Sequence, residues 1–190
     1  MKNSKGVIII VAIIAVLAIL LISSYNSTVS KVEDVETKLA NLDVMLQRRA
    51  DLIPNLINTV KGNTQHEDSV IDKVTEARNK LVNANTVEEK AEANNELSNS
   101  VKSLLVIAEA YPELQSSASF VQLSDEIAGS ENRIATARKD YNESAKVLNS
   151  TIKKFPNNIL SGIFGFKTAS YFEADEKSSE VPNVTFEYNK

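Results

Sequence analysis

Few side chains in this chain of 190 residues could carry out chemistry. The sequence contains one histidine, His66, no cysteine, and no glycine-rich loop of the phosphate-binding kind. A single imidazole does not make a metal site, and carboxylates alone would need a tighter acidic cluster than this sequence offers. We therefore interpret His66 as an exposed residue, and we expect no catalytic residue, no metal and no cofactor.

The more informative polar residues are Arg48, Arg49 and Asp51, which interrupt an apolar stripe. The stripe repeats at helical spacing and places position 49 or 50 on its apolar face. A charge on that face needs a partner, because an unpaired buried charge is costly. The residues that define the stripe are Leu39, Leu42, Leu46 and Ile53.

Four amphipathic helices would position these charges. Apolar residues three or four apart, caps and helix breakers indicate helices over about 25–61, 65–83, 86–111 and 112–154. Such helices cannot bury their apolar stripes alone, so an antiparallel bundle over 25–155 is the economical arrangement. We therefore predict an all-α fold, in which an N-terminal transmembrane helix precedes an antiparallel four-helix bundle with two long outer helices.

Local signals mark the ends and the weak point of these helices. Thr64 with Glu67, and Thr86 with Glu89, have the spacing of capping boxes. Pro54 lies inside the first helix, where we expect a kink, because proline removes one backbone hydrogen bond and clashes with the preceding turn.

The antiparallel arrangement predicts a partner for Arg49. If Tyr25 lies level with Ile152, facing positions of the first and fourth helices sum to about 177, and Arg49 lies beside Ala128. Glu131 is one turn further along the fourth helix. We prefer Glu131 as the partner of Arg49.

Other pairings stay open, because the loops leave about one turn of uncertainty in this register. Arg48 with Glu131, or Asp51 with Arg133, would fit equally well, and Asn132 could add an interhelical hydrogen bond. The alternative places these charges on solvated faces. In either case we expect the cluster to set helix register and not to catalyse a reaction.

The N-terminal region has the composition of a membrane anchor. Residues 1–6 are short and basic, and Val7–Ile22 is a run of 16 apolar residues inside a segment without charges. The run makes about 24 Å of helix, so neighbouring small residues complete a span over 7–24. A cleaved secretory signal is the alternative, but the following ISSYNS segment lacks a convincing small-x-small cleavage site.

An antiparallel fourth helix returns toward the membrane that the first helix leaves. We expect segment 156–172 to be a membrane-proximal apolar segment, and the alternative is that it caps the open end of the bundle core. Residues 173–190 are predicted to form a flexible acidic tail. The side chains expected to contact the membrane surface are Lys153, Lys154, Ile159, Leu160, Ile163, Phe164 and Phe166.

Two long stretches resemble the LemA family of bacterial membrane proteins. The first is NLDVMLQRRADLIPNLINTV over 41–60, followed by VTEAR over 74–78. The second runs from IAGSENRIATARKDYNESAKVLN over 127–149 to FPNNILSGIFGFK over 155–167 and YFEA over 171–174. The resemblance implies a four-helix bundle, and that family has no established enzymatic activity. Ala50 departs from the family pattern, in which an aromatic residue is common there.

These observations predict a single-pass membrane protein that acts as a non-enzymatic scaffold or adaptor of the cell envelope. A regulatory partner of a membrane enzyme such as a protease, and an uncharacterised hydrolase, are the alternatives. The expected partners are the lipid bilayer and envelope proteins, and self-association is left open. The net charge of −4 argues against nucleic acid. Lys2 and Lys5 favour an inside N-terminus, whereas some relatives of this kind have a cytoplasmic domain, so the side is not assigned.

Overall fold

The computed structural model describes residues 2–62 and 68–173, with side chains from residue 6 onward. These residues form six α-helices and no strand, so the predicted all-α class is confirmed. The helices are α1 Lys2–Lys61, α2 Asp68–Asn83, α3 Val87–Ala108, α4 Pro112–Gln115, α5 Ala118–Lys153 and α6 Asn157–Phe164.

The helix predicted over 112–154 is wrong in its first part, because it is divided into the single turn α4 and the long α5. Serine side chains compete for backbone hydrogen bonds at this point. Ser116 Oγ donates to the carbonyl of Glu113 at 3.1 Å, and Ser117 Oγ lies 3.5 Å from the backbone nitrogen of Phe120. The break therefore follows from the local sequence Ser116–Ser117.

Contacts divide the chain into two compact units. Among the described residues, the first unit comprises 2–44 and 134–171, and the second comprises 45–62, 68–133 and 172–173. Helices α1 and α5 therefore contribute residues to both units. The bundle predicted over 25–155 thus includes residues of both units.

The second unit is built around apolar residues spaced three or four apart on each helix. This spacing places them on one side of each helix, where they become buried. Their buried side chains include Leu46, Ile53, Leu56 and Val60 of α1, Ile71, Val74 and Leu81 of α2, Leu97, Val101 and Leu104 of α3, Leu114 of α4, and Phe120 and Ile127 of α5.

Pro54 lies inside α1, and the helix continues through it. Proline has no N–H, so the carbonyl of Ala50, four residues earlier, lacks its usual intrahelical donor. Arg78 of α2 replaces that donor, since its Nε lies 3.1 Å from Ala50 O. Ala50 is completely buried, so water does not reach this residue to supply the hydrogen bond instead.

Replacing Arg78 by Met should therefore destabilise the protein by about 1–3 kcal/mol, the usual cost of an unsatisfied buried polar group. Adding Pro54→Ala should reduce that cost, because alanine restores an N–H for the Ala50 carbonyl. Urea unfolding of the full chain in detergent, followed by circular dichroism, measures both effects. Lys73→Met, at an exposed position on the same helix, is the control. Strictly additive effects of the two substitutions would contradict this role of Arg78.

The first unit holds together through α1, α5 and the segment after α6. Tyr141 of α5 donates from its hydroxyl to the carbonyl of Ser170 at 2.7 Å. The side-chain amide of Asn149 both donates to and accepts from the backbone of Ala169, each at 2.8 Å. Ala169 and Ser170 thus lie alongside α5.

A capping box begins α3, as predicted. Glu89 N donates to Thr86 Oγ1 at 3.1 Å, and Glu89 Oε2 accepts from the backbone N–H groups of Asn85 and Thr86 at 2.8 and 3.1 Å. These backbone donors lower the pKa of the Glu89 carboxyl, because they favour its charged form. The other predicted capping box, Thr64 with Glu67, and the histidine at 66 lie outside the described residues.

The lowered pKa of Glu89 predicts a pH dependence of stability. A carboxyl with a folded pKa below its unfolded pKa stabilises the fold above the unfolded value, and this stabilisation is lost as pH falls through the folded value. Glu89→Gln keeps an acceptor oxygen but does not titrate, so the wild-type protein should melt at a higher temperature at pH 7. This difference in melting temperature should narrow as the pH falls below 4.5, the ordinary pKa of a glutamate carboxyl. Exposed Glu92→Gln is the control, and a gap at position 89 that stays constant with pH would refute the effect.

Candidate functional site

The most constrained polar group in the second unit is the guanidinium of Arg49, of which 2% is exposed. Its Nη1 lies 2.7 Å from Glu131 Oε2, 2.9 Å from Asn94 Oδ1 and 2.9 Å from Ser98 Oγ. The four side chains come from α1, α3 and α5, and Asn94 is also buried. One cation therefore holds three helices together.

Burial and charge act on Arg49 in opposite directions. Desolvation lowers the pKa of the guanidinium, and the Glu131 carboxylate raises it. Arginine stays protonated in proteins, so Arg49 is a buried cation. The Glu131 side chain is 48% exposed, so the anion of the pair lies at the edge of the cluster. In the described part of the chain, no acceptor reaches Arg49 Nε.

The polar groups of the cluster are hydrogen-bonded to one another. Ser98 Oγ lies 3.0 Å from the carbonyl of Asn94 in its own helix and 3.3 Å from Glu131 Oε2, so acceptors already compete for its proton. A serine nucleophile needs a base aimed at its hydroxyl and a donor pair for the developing oxyanion. Here the strongest donor, Arg49, is already engaged by Glu131. The arrangement is suited to fixing helix positions.

The other residues of the predicted polar cluster lie on the surface of this unit. Asp51 is exposed and accepts a 2.7 Å hydrogen bond from Gln47, and Asn132 is exposed on α5. The alternative that places charges on solvated faces therefore describes Asp51. Asn94 and Ser98 were not among the predicted residues. Their spacing of four residues on an otherwise apolar face of α3 is the signal that could have indicated them.

Arg48 and Arg133 instead line an open groove of about 660 Å³ on the second unit. Two carboxylates accompany the two guanidinium groups, so the charges of the lining nearly balance. The remaining lining residues are small or apolar except for Gln122, and Gly129 leaves room because it has no side chain. The lining residues are Arg48, Ala118, Val121, Gln122, Asp125, Glu126, Gly129 and Arg133.

Helix α6 of the first unit contains most of the residues predicted to contact a membrane. Ile159 is 54% exposed, Ile163 is 71% exposed and Phe164 is 54% exposed, and Lys153 and Lys154 before the helix are also exposed. Leu160 is different. It is buried with Ser161 on the inner side of α6, so its predicted outward position is wrong.

Aromatic residues connect α6 to α1 just after the exposed apolar part of α1 ends. The Tyr25 ring lies 4.8 Å from that of Phe164 and 5.5 Å from that of Phe166, measured between centroids. Ser24 Oγ donates to the side chain of Asn157 at the first position of α6. Phe166 is partly buried in this aromatic group, and not fully exposed to a bilayer.

The N-terminal part of α1 could cross a membrane by its length and composition. Its most apolar window of 18 residues has a mean hydropathy of 3.3, and none of that window is buried. The apolar side chains of 7–22 are 47–66% exposed where they are large. Among the described residues, no group of three or more His, Asp or Glu side chains could hold a metal ion.

In the part of the chain that the structure describes, all regular structure is helical and one apolar N-terminal helix could cross a membrane, which is the architecture of membrane-associated helical proteins. More particularly, the chain belongs to the LemA family, because the model of that family matches residues 38–186. The family identification by resemblance is thus confirmed.

Individual relatives are similar over most of this chain. Magnetosome protein MamQ 2 of Paramagnetospirillum magneticum is 29% identical, and the alignment covers 80% of this chain and 65% of that protein. Magnetosome protein MamQ of Magnetospirillum gryphiswaldense is 27% identical with the same coverage. Protein LemA of Metamycoplasma hominis is 28% identical, over 68% of this chain and 59% of that protein. The chain thus spans less than two thirds of the length of these relatives.

The buried pair predicts coupled effects at Arg49 and Glu131. Arg49→Ala should cost about 3 kcal/mol, from the lost packing and from the buried oxygen of Asn94 that loses its donor. Glu131→Ala should cost about 1–2 kcal/mol, less than for a fully buried ion pair, because water reaches the exposed half of this site.

The double substitution should cost less than the sum of the two single ones, since each removes the same interaction. Denaturant unfolding of the full chain in detergent measures the three values. Asp51→Ala should change stability by no more than about 0.5 kcal/mol, because Asp51 is exposed. A double mutant whose loss equals the sum would show that the two charges do not act as a pair.

Proposed function

We propose that this protein is a non-enzymatic scaffold or adaptor that holds partner proteins at a bacterial membrane. The observation that carries the proposal is the continuity of α1. One helix, Lys2–Lys61, contains both the apolar candidate span and the residues Ile53, Leu56 and Val60 that form part of the core of the second unit. A partner bound to the second unit would therefore be tethered to the membrane by a single uninterrupted helix.

The open groove on the second unit is the surface we assign to partner binding. Its two positive residues, Arg48 and Arg133, are matched in number by Asp125 and Glu126, which leaves no strong field of one sign. Nucleic acid and free phosphate are bound through an excess of positive charge, which this groove does not have. A polypeptide segment with apolar and mixed charged side chains fits this lining better, because interfaces combine an apolar centre with a polar rim.

The candidate span of α1 and membership of the LemA family support a role at a membrane. The two MamQ relatives carry the name magnetosome protein. Since the chain spans only 65% of the MamQ proteins, the proposal does not include functions of their remaining parts. The tethering role is independent of which side of the membrane the helical units occupy.

Site-specific photo-crosslinking in cells tests the groove. A benzophenone amino acid at Gln122, an exposed groove residue, should give adducts with one or a few discrete proteins. The same amino acid at Ala128, exposed on the same helix outside the groove, is the matched control. Absence of protein adducts at Gln122, or identical adducts from both positions, would contradict partner binding in the groove.

Substitutions at Gly129 distinguish a loss of partner binding in the groove from a loss of folding stability. A Cβ at this position would lie 3.8 Å from Arg133 Nη1, which is ordinary contact, so a side chain can be added without moving the backbone. Gly129→Ala should raise stability by about 0.5–1 kcal/mol, because alanine favours helix, and should keep the adducts. Gly129→Leu should fill the groove and remove them. If the leucine variant is folded and still gives the adducts, the groove is not the binding surface.

A further inference from the structure

One face of the first unit carries large apolar side chains that the described residues leave more than half exposed. We define the α6 face as Phe155, Ile159, Ile163 and Phe164, which are 80%, 54%, 71% and 54% exposed. Ile159 and Ile163 are four residues apart, so they lie on the same side of α6, whereas Leu160 and Ser161 are buried on the other side. The helix is therefore amphipathic, and its outer, apolar side is exposed in this structure.

Contacts place α6 at the end of the candidate membrane span. The apolar run ends at Ile22, and Ser24 bonds Asn157, the first residue of α6. Ser24 is two residues after Ile22, which is about 3 Å further along the helix axis. Tyr25, the next residue of α1, packs against Phe164 at the other end of α6. Both ends of α6 therefore meet α1 where its apolar part ends.

The charges around α6 favour an anionic lipid surface. Between Glu143 and Glu173 the sequence contains four lysines and no acidic residue. Three of them flank α6, two before it and one after it. Lysines beside apolar and aromatic side chains are typical of segments that lie in the headgroup region. The four lysines are Lys146, Lys153, Lys154 and Lys167.

We propose that the α6 face lies in the lipid interface of the membrane that α1 crosses, as a second membrane contact of the same chain. Lipid is the occupant that the position of α6 favours, because a bilayer around the apolar run of α1 extends sideways to any element packed at Ser24 and Tyr25. The exposed isoleucines and phenylalanines then leave water, and the flanking lysines meet headgroups. This inference rests on the proposed membrane anchor, and it does not depend on partner binding in the groove.

The chain has no cysteine, so single cysteines can report the depth of chosen positions in the full-length protein. We would introduce Ile163→Cys in the α6 face, Ile19→Cys in the apolar run and Val147→Cys on α5, all at exposed positions. Val147 shares a shallow depression with Asp34, ten residues after Ser24 and thus about 15 Å further along α1. Each variant carries a nitroxide label and is reconstituted in vesicles of phosphatidylcholine and phosphatidylglycerol.

Collision of the label with oxygen, which concentrates in lipid, and with a water-soluble nickel complex gives the depth of each position. We expect the label at 163 to favour oxygen as the label at 19 does, at a shallower depth, while the label at 147 favours nickel. A label at 163 that resembles the one at 147, with 19 in lipid, would overturn the second contact and leave the anchor intact. A label at 163 that neither reagent reaches would assign the face to a second copy of the chain. A label at 19 that favours nickel would overturn the anchor and this inference together.

A substitution within the face provides a second measurement. Ile159→Asp, at an exposed position, should keep the helical circular dichroism and move the label at 163 toward the aqueous value, because a carboxylate resists transfer from water. Ile159→Leu is the matched control and should leave the depth unchanged. A depth at 163 that is the same in the aspartate and leucine variants would contradict burial of this face in lipid.

Discussion

The second unit depends on one constraint, which is that the cation of Arg49 lies where water does not reach it. A buried charge is tolerated only when its partners are in place, so α1, α3 and α5 must approach each other where Glu131, Asn94 and Ser98 meet the guanidinium. Apolar side chains alone would allow helices to slide by a turn at moderate cost. The directional hydrogen bonds of Arg49 remove that freedom, and this makes the cluster a determinant of register.

A second buried polar group of α1, a backbone carbonyl, also receives its hydrogen bond from another helix. Pro54 leaves the carbonyl of Ala50 without an intrahelical donor, and Arg78 of α2 supplies one. Ala50 and Arg49 are adjacent in sequence, so consecutive residues of α1 bond to three other helices of this unit. Arg78 satisfies a carbonyl that would otherwise be costly to bury, and the partners of Arg49 do the same for its charge. Proline can therefore be accommodated inside a long helix without ending it, because the neighbouring helix compensates for the missing donor.

Much of the helical organisation could be predicted from periodicity and breakers, while its details depend on contacts that periodicity does not contain. The apolar stripe of α1 indicated that position 49 or 50 is buried, and the structure buries both. The expected register put Ala128 level with Arg49 and favoured Glu131, one turn further along, as its partner, and Arg49 does pair with Glu131 at 2.7 Å. That register assumed Tyr25 level with Ile152, but Tyr25 packs against Phe164 beyond the end of α5. The contribution of the loops to register is what the sequence could not specify.

Polar side chains that point into the core to hydrogen-bond a buried group were the hardest to predict. Asn94 and Ser98 are polar, so hydropathy assigns them to the surface, yet a buried cation requires polar partners on the opposing helix. The apolar residues of α6 present the opposite difficulty, because some are buried and others are exposed. Isoleucine and leucine are equally apolar, so composition cannot say that Leu160 lies inside while Ile159 and Ile163 lie outside. That distinction comes from the fixed ends of α6, where Asn157 bonds Ser24 and Phe164 packs on Tyr25, since these two contacts set the rotation of a short helix about its axis.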